Sequence, residues 1–241
     1  MDAVIDKFKS LRLKNCAQNL PDVLEQSSRN NLSPLQTIDR LLEIELTCRE
    51  KARVALRFKQ SKLGEKTTID QFDFKHHESR LKQKNLILSL VDLGFVREQK
   101  DIILIGNPGT GKSFLAKCIA YAGTQSGIKT LFTTAMDMIN QLMAAKNDHT
   151  LLKKLQLYQS QEILVLDEIG YLPLGKDGSN LFFQVISARH EKKSTIITTN
   201  LPFAKWGNIF DGTTAATAIA DRLVYNSEIL IMEGESYRKR S

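Results

Sequence analysis

The chain has 241 residues with 34 Lys and Arg against 27 Asp and Glu, a formal charge of +7, and 42% apolar residues. That length allows one α/β domain with a full core plus a smaller accessory piece, and the composition excludes a bulk-disordered chain. No apolar run approaches the roughly 18 residues needed to cross a bilayer. The amino terminus is mixed-charge with no leader core, and Cys16, Cys48 and Cys118 are odd in number and far apart, so a soluble, cytoplasmic protein without disulfide framework or zinc site is expected.

From about Ser10 to Gln26, Leu13, Ala17, Leu20 and Leu24 fall on one helical face. After a loop, Ser33 precedes Pro34 and is followed three residues on by Gln36, which predicts an N-cap, a proline in the first turn and a capping-box partner opening a second helix. Leu35, Ile38, Leu42, Leu46 and Ala52 form its expected apolar stripe. Its charge passes from Asp39, Glu43 and Glu45 to Arg49, Lys51, Arg53, Arg57, Lys59 and Lys62, an order the helix dipole favours. That pattern reads either as a solvated face or as a track for DNA phosphates. Gly64 to Asp70 reads as a linker, so a helical DNA- or partner-binding domain is expected over 1–66 and a catalytic domain over 67–241.

Phe72-Asp73-Phe74 is a compact aromatic element whose rings either pack into the domain edge or receive a nucleotide base, and a helix is predicted from Glu78 to Val96. Asp101-Ile102-Ile103-Leu104-Ile105 reads as a buried parallel strand. It runs into Gly106-Asn107-Pro108-Gly109-Thr110-Gly111-Lys112-Ser113, which fits G-x-x-x-x-G-K-[S/T] at every position, and a helix follows. Glycines here let successive N–H groups turn inward toward a phosphate chain at a helix start. Lys112 is then expected on the β and γ phosphates and Ser113 on Mg²⁺. Nucleotide contacts are expected from Gly106, Asn107, Pro108, Gly109, Thr110, Gly111, Lys112, Ser113 and Phe114.

A second strand is predicted at Lys129–Thr133, helices at 135–145 and 149–159, and then Ile163-Leu164-Val165-Leu166-Asp167-Glu168, an apolar strand ending in two acids. A bound Mg²⁺ needs an anionic partner at the carboxyl edge of a neighbouring strand, the place for Asp167. Glu168 would polarise the attacking water. A helix from Asp177 to Lys193 with a basic end precedes the strand Thr195–Thr199, whose tip residue Asn200 either caps the turn at Pro202 or, in a nucleotide-hydrolysing sheet, faces the γ-phosphate. A helix near Thr214–Val224 carrying Asp221-Arg222, a last strand at Glu228–Met232 and a basic tail complete the chain. Strands alternating with helices imply a mostly parallel sheet flanked by helices.

These residues together resemble the IstB-like ATP-binding proteins, helper ATPases encoded beside an insertion-sequence transposase and AAA+ relatives of the DnaC helicase loaders. The likeness runs through the helical amino-terminal region, Phe72-Asp73-Phe74, Gly106 to Ser113, Leu131-Phe132-Thr133-Thr134, Asp167-Glu168-Ile169-Gly170-Tyr171, Ser194 to Pro202 with Trp206, and Asp221-Arg222-Leu223. The resemblance implies an AAA+ P-loop fold with a five-stranded sheet and truncated lid, ATP with Mg²⁺, and a homo-oligomer assembled on duplex DNA. Such an assembly remodels the DNA as a target for a partner transposase and is released by hydrolysis. By position Asn200 resembles sensor 1, Arg222 the arginine finger acting on a neighbour's ATP, and Arg238 the sensor 2 arginine. A helicase loader shares every one of these motifs. A small-molecule kinase shares the phosphate loop, but Glu168 and Asn200 argue against it, because water activation is what a kinase avoids.

Overall fold

The structure, a computed structural model, describes residues 1–237. Packing divides it into two units, Met1–Leu56 and a second that begins at Arg57.

In the first unit, α1 (Asp2–Ser10), α2 (Lys14–Arg29) and the start of α3 (Pro34–Ser61) surround a small core of Cys16, Leu20, Val23 and Leu41. The capping box forms as the sequence predicts. Ser33 N–H donates to Gln36 Oε1 at 2.8 Å and Gln36 N–H to Ser33 Oγ at 3.3 Å. The predicted apolar stripe, however, faces solvent: Leu35, Ile38, Leu42 and Leu46 are 76%, 55%, 44% and 67% exposed, and Ala52 is exposed with them.

The buried face of α3 is one residue out of phase and carries Leu41, Ile44 and Glu45. A polar interaction sets that phase. Glu45 Oε2 accepts the N–H groups of Asn15 at 2.7 Å and Cys16 at 3.0 Å, capping α2, whose own N-cap Leu13 has no side-chain oxygen to offer. Arg49, a candidate for the phosphate track, instead pairs with Glu45 at 2.7 Å and donates to Arg12 O at 2.6 Å. Burial opposes ionisation of Glu45, yet the Cys16 N–H, the Arg49 guanidinium and the Asn15 N–H hold its carboxyl below the usual range.

The second unit is built on five parallel strands, β1 (Asp101–Gly106), β2 (Thr130–Thr134), β3 (Ile163–Ile169), β4 (Ser194–Thr199) and β5 (Ser227–Met232), in the order β2-β3-β4-β1-β5. Strands covered on both faces read as continuous apolar runs rather than alternating ones, and Ile102, Ile103 and Leu104 are 0% exposed. Ile102 and Leu104 pack under α5 (Lys84–Val91) and α7 (Lys112–Gln125). Ile103 packs on the opposite face beneath α8 (Ala135–Asn147), α10 (Gly175–Arg189) and α11 (Thr213–Tyr225), while α9 (Leu151–Gln159) adds Leu155 and Tyr158. Each such aliphatic side chain contributes roughly 1.5–3 kcal/mol. Because β4 lies between β1 and β3, the chain leaves all three at one edge of the sheet, close together.

Two predicted helices differ in the structure. The expected helix from Glu78 to Val96 is three pieces, α4 (Glu78–Lys82), α5 and α6 (Gly94–Arg97). Gln83 breaks the first joint, its amide donating to Ile231 O at 2.9 Å. Leu93 breaks the second with φ 63°, a left-handed conformation in which its side chain stays buried beside Leu90 and Phe95. The helix expected to run to Lys193 ends at Arg189. That arginine, read as part of the helix's basic end, is 1% exposed and donates to Tyr158 O, Gln161 O, Ser194 O and Thr195 Oγ1. Burial draws its pKa down to about 9.

Candidate functional site: a phosphate loop facing an acidic strand end

The residues between β1 and α7 form a loop with Gly109 and Gly111 at φ 82° and 89°, backbone that side chains rarely adopt. At Gly109 there is also no room for a Cβ, because Ser236 lies against it, and Tyr237 N–H donates to Gly109 O at 2.9 Å. Asn107 and Pro108 are exposed at the loop's crest, and buried Thr110 ties its hydroxyl to Asn107 O at 2.8 Å. Lys112 opens α7 and folds its ammonium onto the loop, donating to Gly106 O and Asn107 O, each at 2.8 Å.

Ser113 faces across to β3. Its Oγ donates to Asp167 Oδ1 at 2.8 Å, so the phosphate loop and the acidic strand end meet directly. The same carboxylate oxygen accepts the Thr198 hydroxyl of β4. The Thr198 oxygen in turn accepts Glu168 N–H at 2.9 Å. That bond holds Glu168 in a left-handed backbone at φ 59°, at a break in the β3–β4 register between Leu166 and Ile169. Such strain persists only where its surroundings enforce it. Here it turns Glu168 outward to solvent while Asp167 stays 6% exposed. One hydroxyl therefore orients both acids.

Asn200 follows β4 directly and is exposed at the same edge, between the ends of β1 and β3. Phe114 stacks on Phe72 with ring centres 6.2 Å apart, and both line a cavity of about 230 Å³ beside Gly111, Lys112 and Ser113. That is smaller than the roughly 300–1,000 Å³ of sites that enclose a ligand, leaving space for only part of a nucleotide. Arg222 is not brought to the loop. It is half-buried on α11, its guanidinium 4.6 Å over the Phe183 ring and donating to Ala218 O at 2.9 Å. Arg238 lies outside the described residues.

Two residues of the site have no counterpart in the sequence reading. Thr198 could have been suspected, because a hydroxyl inside the wholly buried run of β4 needs a partner. Arg80 of α4 carries no such signal. It is 3% exposed, sits 4.7 Å over the Phe72 ring, and donates to Asp73 O at 2.8 Å and to Thr110 O of the loop at 2.6 Å.

The donor set fits Mg²⁺, which takes one or two protein oxygens and leaves its other positions to phosphates and water. Ser113 and Asp167 present a hydroxyl and a carboxylate within one hydrogen bond of each other. Among the described residues no cluster of three His, Cys, Asp or Glu side chains offers an all-protein metal cage, and no helix is long and apolar enough to cross a membrane.

The chain is similar to proteins of the same general description along most of its length. It is 36% identical over 95% of its residues, and 90% of the relative's, to a protein described as the ATP-binding protein of insertion sequence IS232 from Bacillus thuringiensis subsp. berliner. It is 37% identical over 95% of its residues, and 91% of the relative's, to that of insertion sequence IS5376 from Geobacillus stearothermophilus. The crystal structure of the DnaC helicase loader superposes with a TM-score of 0.61 at 24% identity, covering 69% of this chain and 97% of that one, a likeness of fold that agrees with an AAA+ sheet. The family model for IstB-like ATP binding proteins matches residues 6–241, and with the phosphate loop and acidic strand end in place the chain belongs to that family.

Proposed function

We propose that this protein is an ATP-hydrolysing helper of transposition, which assembles on duplex DNA with ATP, presents that DNA to a partner transposase, and lets go when ATP is cleaved. The observation that carries the reading is the hydrogen bond from Ser113 to Asp167 with Glu168 next in the strand. It sets a phosphate loop, a metal-side carboxylate and a second, outward acid at one sheet edge.

In this reading the loop N–H groups and Lys112 take the phosphates, the Lys112 ammonium exchanging its two loop carbonyls for phosphate oxygens. Ser113 and Asp167 would hold Mg²⁺, which supplies charge neutralisation for the transferring phosphoryl group. Glu168 accepts the proton of the attacking water and Asn200 orients that water. Arg222 serves the nucleotide of an adjacent copy, so hydrolysis depends on assembly. The net charge of +7 supports a polyanionic partner bound through phosphates. The division at Leu56 supports a separate helical unit for DNA or transposase contact.

The test is phosphate release from ATP and Mg²⁺ with and without duplex DNA, followed by strand transfer with the transposase encoded beside it. DNA-stimulated release together with ATP-dependent strand transfer is expected. Release without any DNA binding at low salt would defeat the helper reading, and capture of a replicative helicase without any effect on strand transfer would favour a loader.

A further inference from the structure

Arg80 is a buried cation in an unusual setting. The residue is 3% exposed, yet among the described residues it has no carboxylate in ion-pair contact. The Asp73 carboxylate accepts Lys75 N–H at 2.9 Å and attracts the guanidinium only through space. Among the described residues Arg80 donates only to two neutral carbonyls, Asp73 O and Thr110 O, and its Nε is buried without any acceptor. Burial accordingly lowers its pKa, though an arginine keeps its charge. A desolvated charge with no counter-ion in contact among the described residues is costly in the free protein, even with Asp73 attracting it through space, and an anion close by relieves that cost.

The place of this cation in the fold identifies the anion. Thr110 O belongs to the peptide that joins Thr110 to Gly111, the N-cap of α7. A charge-assisted bond to the carbonyl end of a peptide polarises its N–H end and makes that N–H a stronger donor. The same contact explains Gly111, where a methyl group would come within 2.9 Å of the guanidinium and 3.2 Å of Phe72.

We propose that Arg80 is a positioning residue of the nucleotide site: it braces the phosphate loop from its carbonyl side, and its unpaired charge is compensated by the phosphates of the bound nucleotide. The inference rests on the nucleotide reading above and adds to it a cation from outside the loop, whose contribution grows with the charge of the ligand.

The test is a ladder of AMP, ADP and ATP with Mg²⁺, titrated calorimetrically against the full chain and its Arg80→Gln and Arg80→Lys variants. Arg80→Gln should weaken ATP by roughly tenfold or more, the scale of one charged hydrogen bond, with ADP losing less and AMP least. Arg80→Lys, which keeps charge but not the fork, should recover part of the ATP loss, and it carries the test if the glutamine variant does not fold. A merely structural role would weaken all three nucleotides equally, and that flat ladder, or unchanged ATP affinity, overturns the proposal while leaving the nucleotide reading standing. A wild-type chain that binds none of the three overturns both.

Discussion

Replacing Thr198 with valine keeps the volume and the β-branch of a side chain that is 1% exposed, and removes only the hydroxyl. Two bonds go with it, the one it donates to Asp167 and the 2.9 Å one it accepts from Glu168 N–H. The first is a bond to a carboxylate, about 1.5–3 kcal/mol; the second leaves a backbone donor unsatisfied at about 1–3 kcal/mol. Sharing one hydroxyl, the two should not add fully, so a stability loss near 3 kcal/mol is expected. The functional effect should be larger than that loss alone implies at a temperature where the variant remains folded. Outer partners of metal-side ligands typically cost 10–100-fold in metal affinity or activity, and here the same change also releases the backbone that aims Glu168. Steady-state phosphate release measured against Mg²⁺ concentration should show half-saturation moved to higher Mg²⁺ and turnover lowered by about that factor, both restored by Thr198→Ser. A valine variant that melts earlier yet hydrolyses ATP with wild-type Mg²⁺ dependence would show that the hydroxyl supports the fold and not the site.

Lys112→Ala should abolish detectable ATP binding by fluorescent-nucleotide titration, and binding within a few-fold of wild type would remove the loop from the account. Glu168→Gln should bind ATP with Mg²⁺ normally and slow turnover by about 10²–10⁴-fold, the usual weight of a general base; single-turnover phosphate release distinguishes this from slow product release. Arg222→Ala should bind ATP normally and lose hydrolysis, and mixing it with Glu168→Gln subunits should restore partial activity; no rescue at any ratio would leave Arg222 without a role between subunits. In the helical unit, Glu45→Gln should cost about 2 kcal/mol at neutral pH, from the charged caps at Asn15 and Cys16. Because the folded Glu45 carboxyl lies below its ordinary range, this stabilisation is present above about pH 4.3 and is lost as pH falls through the folded value. The gap between wild type and Glu45→Gln in denaturant titrations should therefore close in acid, and a gap constant from neutral to acid pH would contradict the capping role.

The sheet and its nucleotide edge were legible because burial on both faces leaves few choices. Ile102 to Ile105 and Ile163 to Leu166 can only be covered strands, and the motif residues at their ends follow from chain direction. The phase of α3 was not legible. Leu35, Ile38, Leu42 and Leu46 make the better apolar stripe, but the helix turns Leu41 and Glu45 inward because α2 lacks a cap of its own. Such a contact between residues 30 apart leaves no mark in local periodicity. Arg189 and Arg80 were hidden for a related reason, since an arginine at a helix end reads as solvated until the carbonyls that receive it are known. The break at Leu93 likewise needs tertiary burial to hold a leucine in backbone better suited to glycine.

If Ser113 and Asp167 are two sides of one metal–triphosphate site, Mn²⁺ used in place of Mg²⁺ reports on it directly. Electron paramagnetic resonance titration of Mn²⁺ in the presence of saturating ATP should find one tight Mn²⁺ per chain in the wild type, and that site should be weakened in both Ser113→Ala and Asp167→Asn. Tight Mn²⁺ binding that survives both substitutions unchanged would place the metal elsewhere and contradict the assignment.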